Sequence, residues 1–351
     1  MYKRNLNYDL IRLIGLFIIM VAHSSPPDWL FQLRNFGTPL LIIGSGLTYA
    51  LIYSSRKIDV KKFYKKRLSR LILPAWIFLS FFFLVFYFAA IFLGLDYPFT
   101  NNDMIDSYLF MEGIGFVWVF KIYLMLALIT PIAIYVNAKI KSNTNYLAVL
   151  AGAYLLYELL LYVVTPFLYG VYETFFNSIV FILIPYTILF LYAFRLSKLS
   201  ENQVYVILFL SITIFLVLAL FKYLDTGFFV PTQLYKYPPT IYYLSYAFFA
   251  INAVFLIIKS IDIKNDFVRS IITWLSSNSL WVYLWHIFAI YMWGYFATEP
   301  IEGTLLFSVN LMFLLIFGIL CTYIQNKIVL AIPLTNPIWK NKIAPLLSSN
   351  A

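Results

Sequence analysis

The sequence predicts an all-α integral membrane protein: a single bundle of about ten transmembrane helices over residues 1–351, both termini cytoplasmic. Three observations carry this prediction. The chain is 63% hydrophobic and only 11% charged, with a mean hydropathy of +0.85. Apolar stretches of about 20 residues, enough to cross a hydrocarbon core of about 30 Å, recur from end to end. Charge alternates in sign between successive connecting segments. Spans are predicted near 8–24, 36–54, 71–94, 114–136, 146–168, 176–194, 204–222, 240–258, 271–294 and 305–329. What remains is too short for a soluble domain, so any site must be built from helices and short loops.

The first span opens on Asp9-Leu10-Ile11-Arg12 and closes on His23, one of two histidines in the chain. Eleven residues turn a helix about 20° past three full turns, so Arg12 and His23 are expected on one stripe, roughly 16 Å apart. A guanidinium and an imidazole are costly to keep there, and Asp9 is close enough to pair with Arg12. Burial disfavours imidazolium, so His23 is expected to be neutral and able to accept a proton near pH 7. The plainer alternative is an interfacial histidine with an arginine reaching inner headgroups.

The second span carries Gly44-Ser45-Gly46, whose small side chains suit close helix approach. Ser45 as a nucleophile needs a base that nothing local provides. Ahead of the third span lies the densest basic run, Arg56 to Arg70. Within it Arg67 and Arg70 stand one turn apart just before Leu73-Pro74, a spacing that suits a bidentate grip on phosphate, with Lys66 beside them. Anionic lipid and topology account for much of the remaining run. Lys121 in the fourth span and Glu158 in the fifth lie at matching depths on antiparallel neighbours, so an intramembrane ion pair is expected.

The ninth span contains Ser279-Leu280-Trp281-Val282-Tyr283-Leu284-Trp285-His286. Running outward, it places His286 about 22 Å from its inner end, in the same outer half as His23. Two histidines at that depth would face one cavity if their helices touch; the alternative is a bundle histidine bonded to a neighbouring Tyr or Ser. Cys321 in the tenth span is the sole cysteine, which excludes an intrachain disulfide and a cysteine-based metal site. No metal is expected.

One set of loops carries Lys3 and Arg4, the 56–70 run, Lys139 with Lys141, Arg195 with Lys198, Lys259 to Arg269, and Lys340 with Lys342. The other carries Asp96, Asp103, Asp106, Glu112, Glu173, Glu299 and Glu302, with few basic residues: Arg34, Lys222 and Lys236. The positive-inside rule assigns the first set to the cytoplasm. The net charge of +10 is thus mostly topogenic and calls for no nucleic-acid partner. Interfacial Tyr and Trp cluster near span ends, no tandem or inverted repeat shows, and the first span, lacking a cleavage site, is expected to be retained.

In this order the features resemble the acyltransferase-3 family of integral membrane acyltransferases. Arg12 and His23 match its R-x10-H signature, with Asp9 in a D-x-x-R setting. Gly37-Thr38-Pro39 through Ser45-Gly46 is similar to its second-span segment, and Arg67-x-x-Arg70 with Pro74 to its cytoplasmic element. Trp118 through Pro131 resembles its Trp-containing fourth span, and Tyr283-Leu284-Trp285-His286 its late Tyr-Leu-x-His motif. The chain departs from the pattern at Ile42-Ile43-Gly44, at Ala75-Trp76 and at Lys121.

The resemblance implies transfer of an acyl group, acetyl from acetyl-CoA, onto a hydroxyl of a cell-surface polysaccharide or lipid-linked glycan in a microbial plasma membrane. His23 would then be the general base, Arg12 would orient the thioester or its oxyanion with Asp9 holding it, and His286 would position the acceptor or assist proton transfer. Arg67, Arg70 and Lys66 would meet the phosphates of the cytosolic acyl-CoA. The rival expectation is a multi-span transporter or flippase for a glycan or other solute, although paired broken helices, common in such folds, are not evident.

Overall fold

The computed structural model describes residues 4–54, 57–296, 303–332 and 339–348. Lys3, Arg56, Glu299 and Glu302 of the charge pattern lie outside them. The chain folds into α1 (Leu6–Ala22), α2 (Asp28–Leu33), α3 (Gly37–Ile52), α4 (Val60–Leu93), α5 (Asn101–Tyr108), α6 (Trp118–Lys139), α7 (Asn143–Val164) and α8 (Val171–Phe175). There follow α9 (Phe181–Leu196), α10 (Glu201–Thr226), α11 (Ile241–Lys259), α12 (Asp266–Ser277), α13 (Ser279–Phe296), α14 (Gly303–Ala331) and α15 (Ala344–Leu347). Among the described residues no strand forms, only one isolated bridge between Lys236 and Pro239. The all-α membrane class holds: eight helical segments among the described residues are long and apolar enough to cross a bilayer.

Two expected spans take other forms. The first is the 17-residue α1, which stops at Ala22, one residue short of His23. Pro26 and Pro27 follow, and Ser25 adopts φ 55°, so the helix has no room to continue. The helical stripe expected to carry both Arg12 and His23 therefore ends before His23. The ninth span, expected to be continuous over 271–294, breaks at Asn278 between α12 and α13. The Asn278 amide donates back to the Trp274 carbonyl, and its Oδ1 accepts from Asn326 of α14 at 2.9 Å. An asparagine that bonds its own preceding turn competes with the helix ladder.

The basic run is also more ordered than a loop. Asp59 accepts from the Lys62 amide and caps α4, and Lys and Arg are good helix formers, so Lys66, Arg67 and Arg70 sit in the opening turns of this 34-residue helix. Gly94, at φ 64°, closes it.

The residues divide into two compact units. The first comprises Met1–Ala22, Pro27–Ile58 and Leu128–Thr273. Here α3 and α9 are buried along most of their length, while α7 and α10 present Leu155, Leu159, Phe209 and Leu220 outward, as lipid-facing helices do. A Cβ on Gly44 would stand 3.2 Å from the Arg12 amide nitrogen of α1. One on Gly46 would lie 2.5 Å from the Ala193 Cβ of α9. Both glycines of Gly44-Ser45-Gly46 thus serve close packing. Gly46→Leu should destabilise the protein by at least about 1–3 kcal/mol through overpacking, seen as a lower thermal unfolding midpoint in detergent; an unchanged midpoint would disprove the tight contact.

Arg195 at the end of α9 is 3% exposed. Its guanidinium donates to the carbonyls of Asn137, Ile140 and Lys141 and to Asn143 Oδ1, and lies 4.3 Å over the Tyr146 ring. It therefore satisfies carbonyls left open at the end of α6, where a cation is favourable. Arg195→Met removes every one of these donors and should cost about 3 kcal/mol by the same unfolding measurement. Recovery of full stability in that variant would refute the capping role.

The second unit comprises His23–Pro26, Asp59–Ala127 and Trp274–Ala351. Its interior is a ring cluster between α4 and α13: Phe82 meets Tyr291 at 5.2 Å and Phe86 meets Phe288 at 5.5 Å between centroids. Aromatic pairs at these spacings add to burial and fix the rotation of α13, and with it the direction of His286.

Candidate active site

His23 and His286, 263 residues apart in sequence, meet inside the second unit. His23 Nδ1 and His286 Nε2 stand 3.0 Å apart, and the two rings are nearly coplanar at 9°. His286 is fully buried, and its Nδ1 bonds to the Tyr283 carbonyl one turn earlier on α13. A carbonyl only accepts, so His286 Nδ1 carries the proton, and its neutral ring presents a lone pair at Nε2. His23 Nδ1 must then be the donor between the rings, which leaves the His23 lone pair on Nε2. The backbone carbonyl, through His286, thus sets the tautomer of His23.

The loop ahead of α6 closes around this pair. Phe116 packs edge-on against His23 with centroids 4.6 Å apart. Its carbonyl accepts from the Tyr283 hydroxyl at 2.7 Å, and the Ile114 carbonyl accepts from the Tyr291 hydroxyl at 3.0 Å. The turn depends on Gly113, at φ 40°, where a Cβ would stand 2.3 Å from Ser107 Oγ. Ser107 Oγ in turn accepts from the Ile114 amide at 2.9 Å. α13 therefore supplies His286, the Tyr283 carbonyl that orients it, and two hydroxyls that hold the loop against His23.

The sequence marked both histidines and their common depth. It marked Tyr283 only as part of the motif before His286 and missed Phe116 and Tyr291; the close glycines Gly113 and Gly115 were the available sign of a tight turn there.

The other candidate residues take individual positions. In the first unit Asp9, 5% exposed, accepts from Arg4 Nε at 2.5 Å, a partner the sequence reading did not assign to it. Arg12 donates to Thr48 Oγ1 at 2.9 Å, and Thr48 donates on to the Gly44 carbonyl at 2.8 Å. Gly44 is what lets the α3 backbone come that close to Arg12. In the second unit, Lys66 and Arg70 are exposed on α4 and Arg67 is half-buried between them.

Glu158 of the first unit accepts from the Tyr154 hydroxyl at 2.6 Å. Lys121 of the second interacts electrostatically with Glu112. Each has a partner within its own unit.

Chemically, the pair of rings is a base with a built-in orienting group. An alcohol proton taken by His23 Nε2 creates an imidazolium whose Nδ1–H still donates to His286, so the new charge is stabilised without rearrangement. Such a group suits attack by a hydroxyl on an activated carbonyl. Neither a curated protein nor a solved structure matches the chain. A family model described as an acyltransferase domain, that of the acyltransferase-3 family, matches residues 5–324. That match spans nearly the whole chain, so this multi-pass membrane protein belongs to the acyltransferase-3 family and is a membrane acyltransferase.

Proposed function

We propose that the protein transfers acetyl from acetyl-CoA to a hydroxyl of a cell-surface polysaccharide or lipid-linked glycan. The observation that carries this reading is the hydrogen-bonded sequence from the Tyr283 carbonyl through His286 to His23, which supports a lone pair at His23 Nε2. In the reaction, His23 Nε2 takes the acceptor hydroxyl proton as its oxygen attacks the thioester carbonyl. The new C–O bond forms and the C–S bond breaks. The thiolate then recovers the proton from the His23 imidazolium and leaves as free CoA. A well-placed base contributes about 10²–10⁴-fold to such a step.

The remaining roles rest on the family pattern. Arg12, with Asp9, serves the thioester oxygen as negative charge develops on it. Arg67, Arg70 and Lys66 serve the CoA phosphates from the side the charge pattern assigns to the cytoplasm, where CoA resides. The family alone supports a microbial plasma membrane.

The test is purified protein in lipid vesicles given radiolabelled acetyl-CoA and a panel of glycans. Labelled glycan is the expected product. Movement of glycan across the vesicle wall with no acylation of any acceptor would replace this reading with transport.

A further inference from the structure

Three basic residues lie on the face that the charge pattern assigns to the outside, and the acyl-transfer steps use none of them. All three gather in the first unit. Arg34 closes α2 and Lys236 follows the helical turn Thr232–Tyr235; Lys222, on α10, lies 3.8 Å over the Tyr235 ring. The two segments are tied together: Asn35 Nδ2 donates to Thr232 Oγ1 at 3.0 Å. They are also tied to α11, where the Tyr246 hydroxyl donates to the Leu33 carbonyl and that of Tyr242 to the Val230 carbonyl.

This assembly buries two cations side by side, with Arg34 9% and Lys236 7% exposed. Burial, and then the charge of Arg34, pull the Lys236 ammonium down to about 7 from its usual 10.5. Arg34 lies 3.8 Å over the Phe31 ring, and its buried Nε has no hydrogen-bond partner. Among the described residues no carboxylate comes within ion-pair distance of it. The buried oxygens Gln32 Oε1, Asn35 Oδ1, Gln233 Oε1 and Thr240 Oγ1 in the same segments also lack partners. The Arg34 guanidinium, buried beside a second cation with Nε open, calls for an anion, and open amide oxygens call for hydroxyl donors.

We propose that this cluster binds the acceptor saccharide through an anionic oxygen group, a carboxylate or a phosphate, while the amide oxygens accept from its hydroxyls. Arg34 and Lys236 then each make charge-assisted hydrogen bonds, and the acceptor is restricted to acidic glycans. Calling the ligand an acceptor rests on the acyl-transfer reading; the binding itself does not.

The experiment is isothermal titration of the full-length protein in phosphatidylcholine nanodiscs, without acyl donor, against glucuronate, glucose 1-phosphate and glucose. At least one acidic sugar should bind at least about tenfold more tightly than glucose, and which one does so separates carboxylate from phosphate. Arg34→Gln and Lys236→Met should each weaken that binding about tenfold or more, while Arg34→Lys keeps part of it and Lys264→Gln leaves it unchanged. Thermal unfolding of each variant checks that it is folded.

Equal binding of all three sugars would overturn the proposal. So would binding unaffected in folded Arg34→Gln and Lys236→Met. If phosphatidylglycerol discs stabilise the protein through Arg34 while no sugar binds, the ligand is a lipid headgroup and the proposal fails. Acidic-sugar binding without acetyl transfer in the vesicle assay would instead refute the acyl-transfer reading and leave the anion site standing.

Discussion

His23→Ala should reduce acyl transfer by about 10²–10⁴-fold while leaving the protein folded in the membrane. The size follows from the role: no other side chain in the described ring cluster carries a lone pair suited to deprotonating an alcohol, since His286 spends its Nε2 on His23. His23→Gln separates a base from a spacer. Glutamine can reproduce hydrogen bonds to neighbours but takes up no proton near neutral pH, so it should be nearly as inactive as alanine. A glutamine variant with close to parental turnover would show that the imidazole only holds structure. The measurement is the initial rate of labelled acetyl transfer, corrected for the amount of folded protein.

His286→Ala should lower kcat by about 10–100-fold with little change in KM for the acyl donor, because an orienting group acts on the reacting base and not on the cofactor. Its removal leaves His23 Nδ1 without the acceptor that fixes the tautomer and stabilises the imidazolium. His286→Gln returns an acceptor oxygen near the lost Nε2 and should recover part of the rate. Phe116→Ala is no substitute for this test, since it alters packing without touching either nitrogen. If alanine and glutamine at 286 were equally impaired, the residue would be a packing element of α13 and nothing more.

Much of the fold was legible because bilayer crossing imposes a length and a hydropathy on each helix, and because glycines such as Gly44 and Gly46 reveal close contacts. The histidine pair was half legible. Its depth came from counting residues along two spans, but contact between residues 263 apart depends on which helices pack together, which the local pattern does not encode.

Local competition produced the differences. Ser25-Pro26-Pro27 stops α1 ahead of His23, and the Asn278 amide breaks what reads as an uninterrupted apolar span. Asp9 also takes Arg4 as a partner, a contact that depends on how the chain enters α1. The outer cations looked like exceptions to the charge rule until Asn35, Thr232 and the α11 tyrosines brought them together.

With two histidines in the whole chain, 15N labelling of histidine alone yields four ring-nitrogen signals in lipid bilayers. Solid-state NMR near neutral pH should find both rings neutral and protonated at Nδ1, with the inter-ring hydrogen bond running from His23 to His286. His286→Gln should remove one ring's signals and leave His23 in the same tautomer. A His23 ring protonated at Nε2 in the parent protein would contradict the account, because the nitrogen assigned to accept the alcohol proton would already hold one.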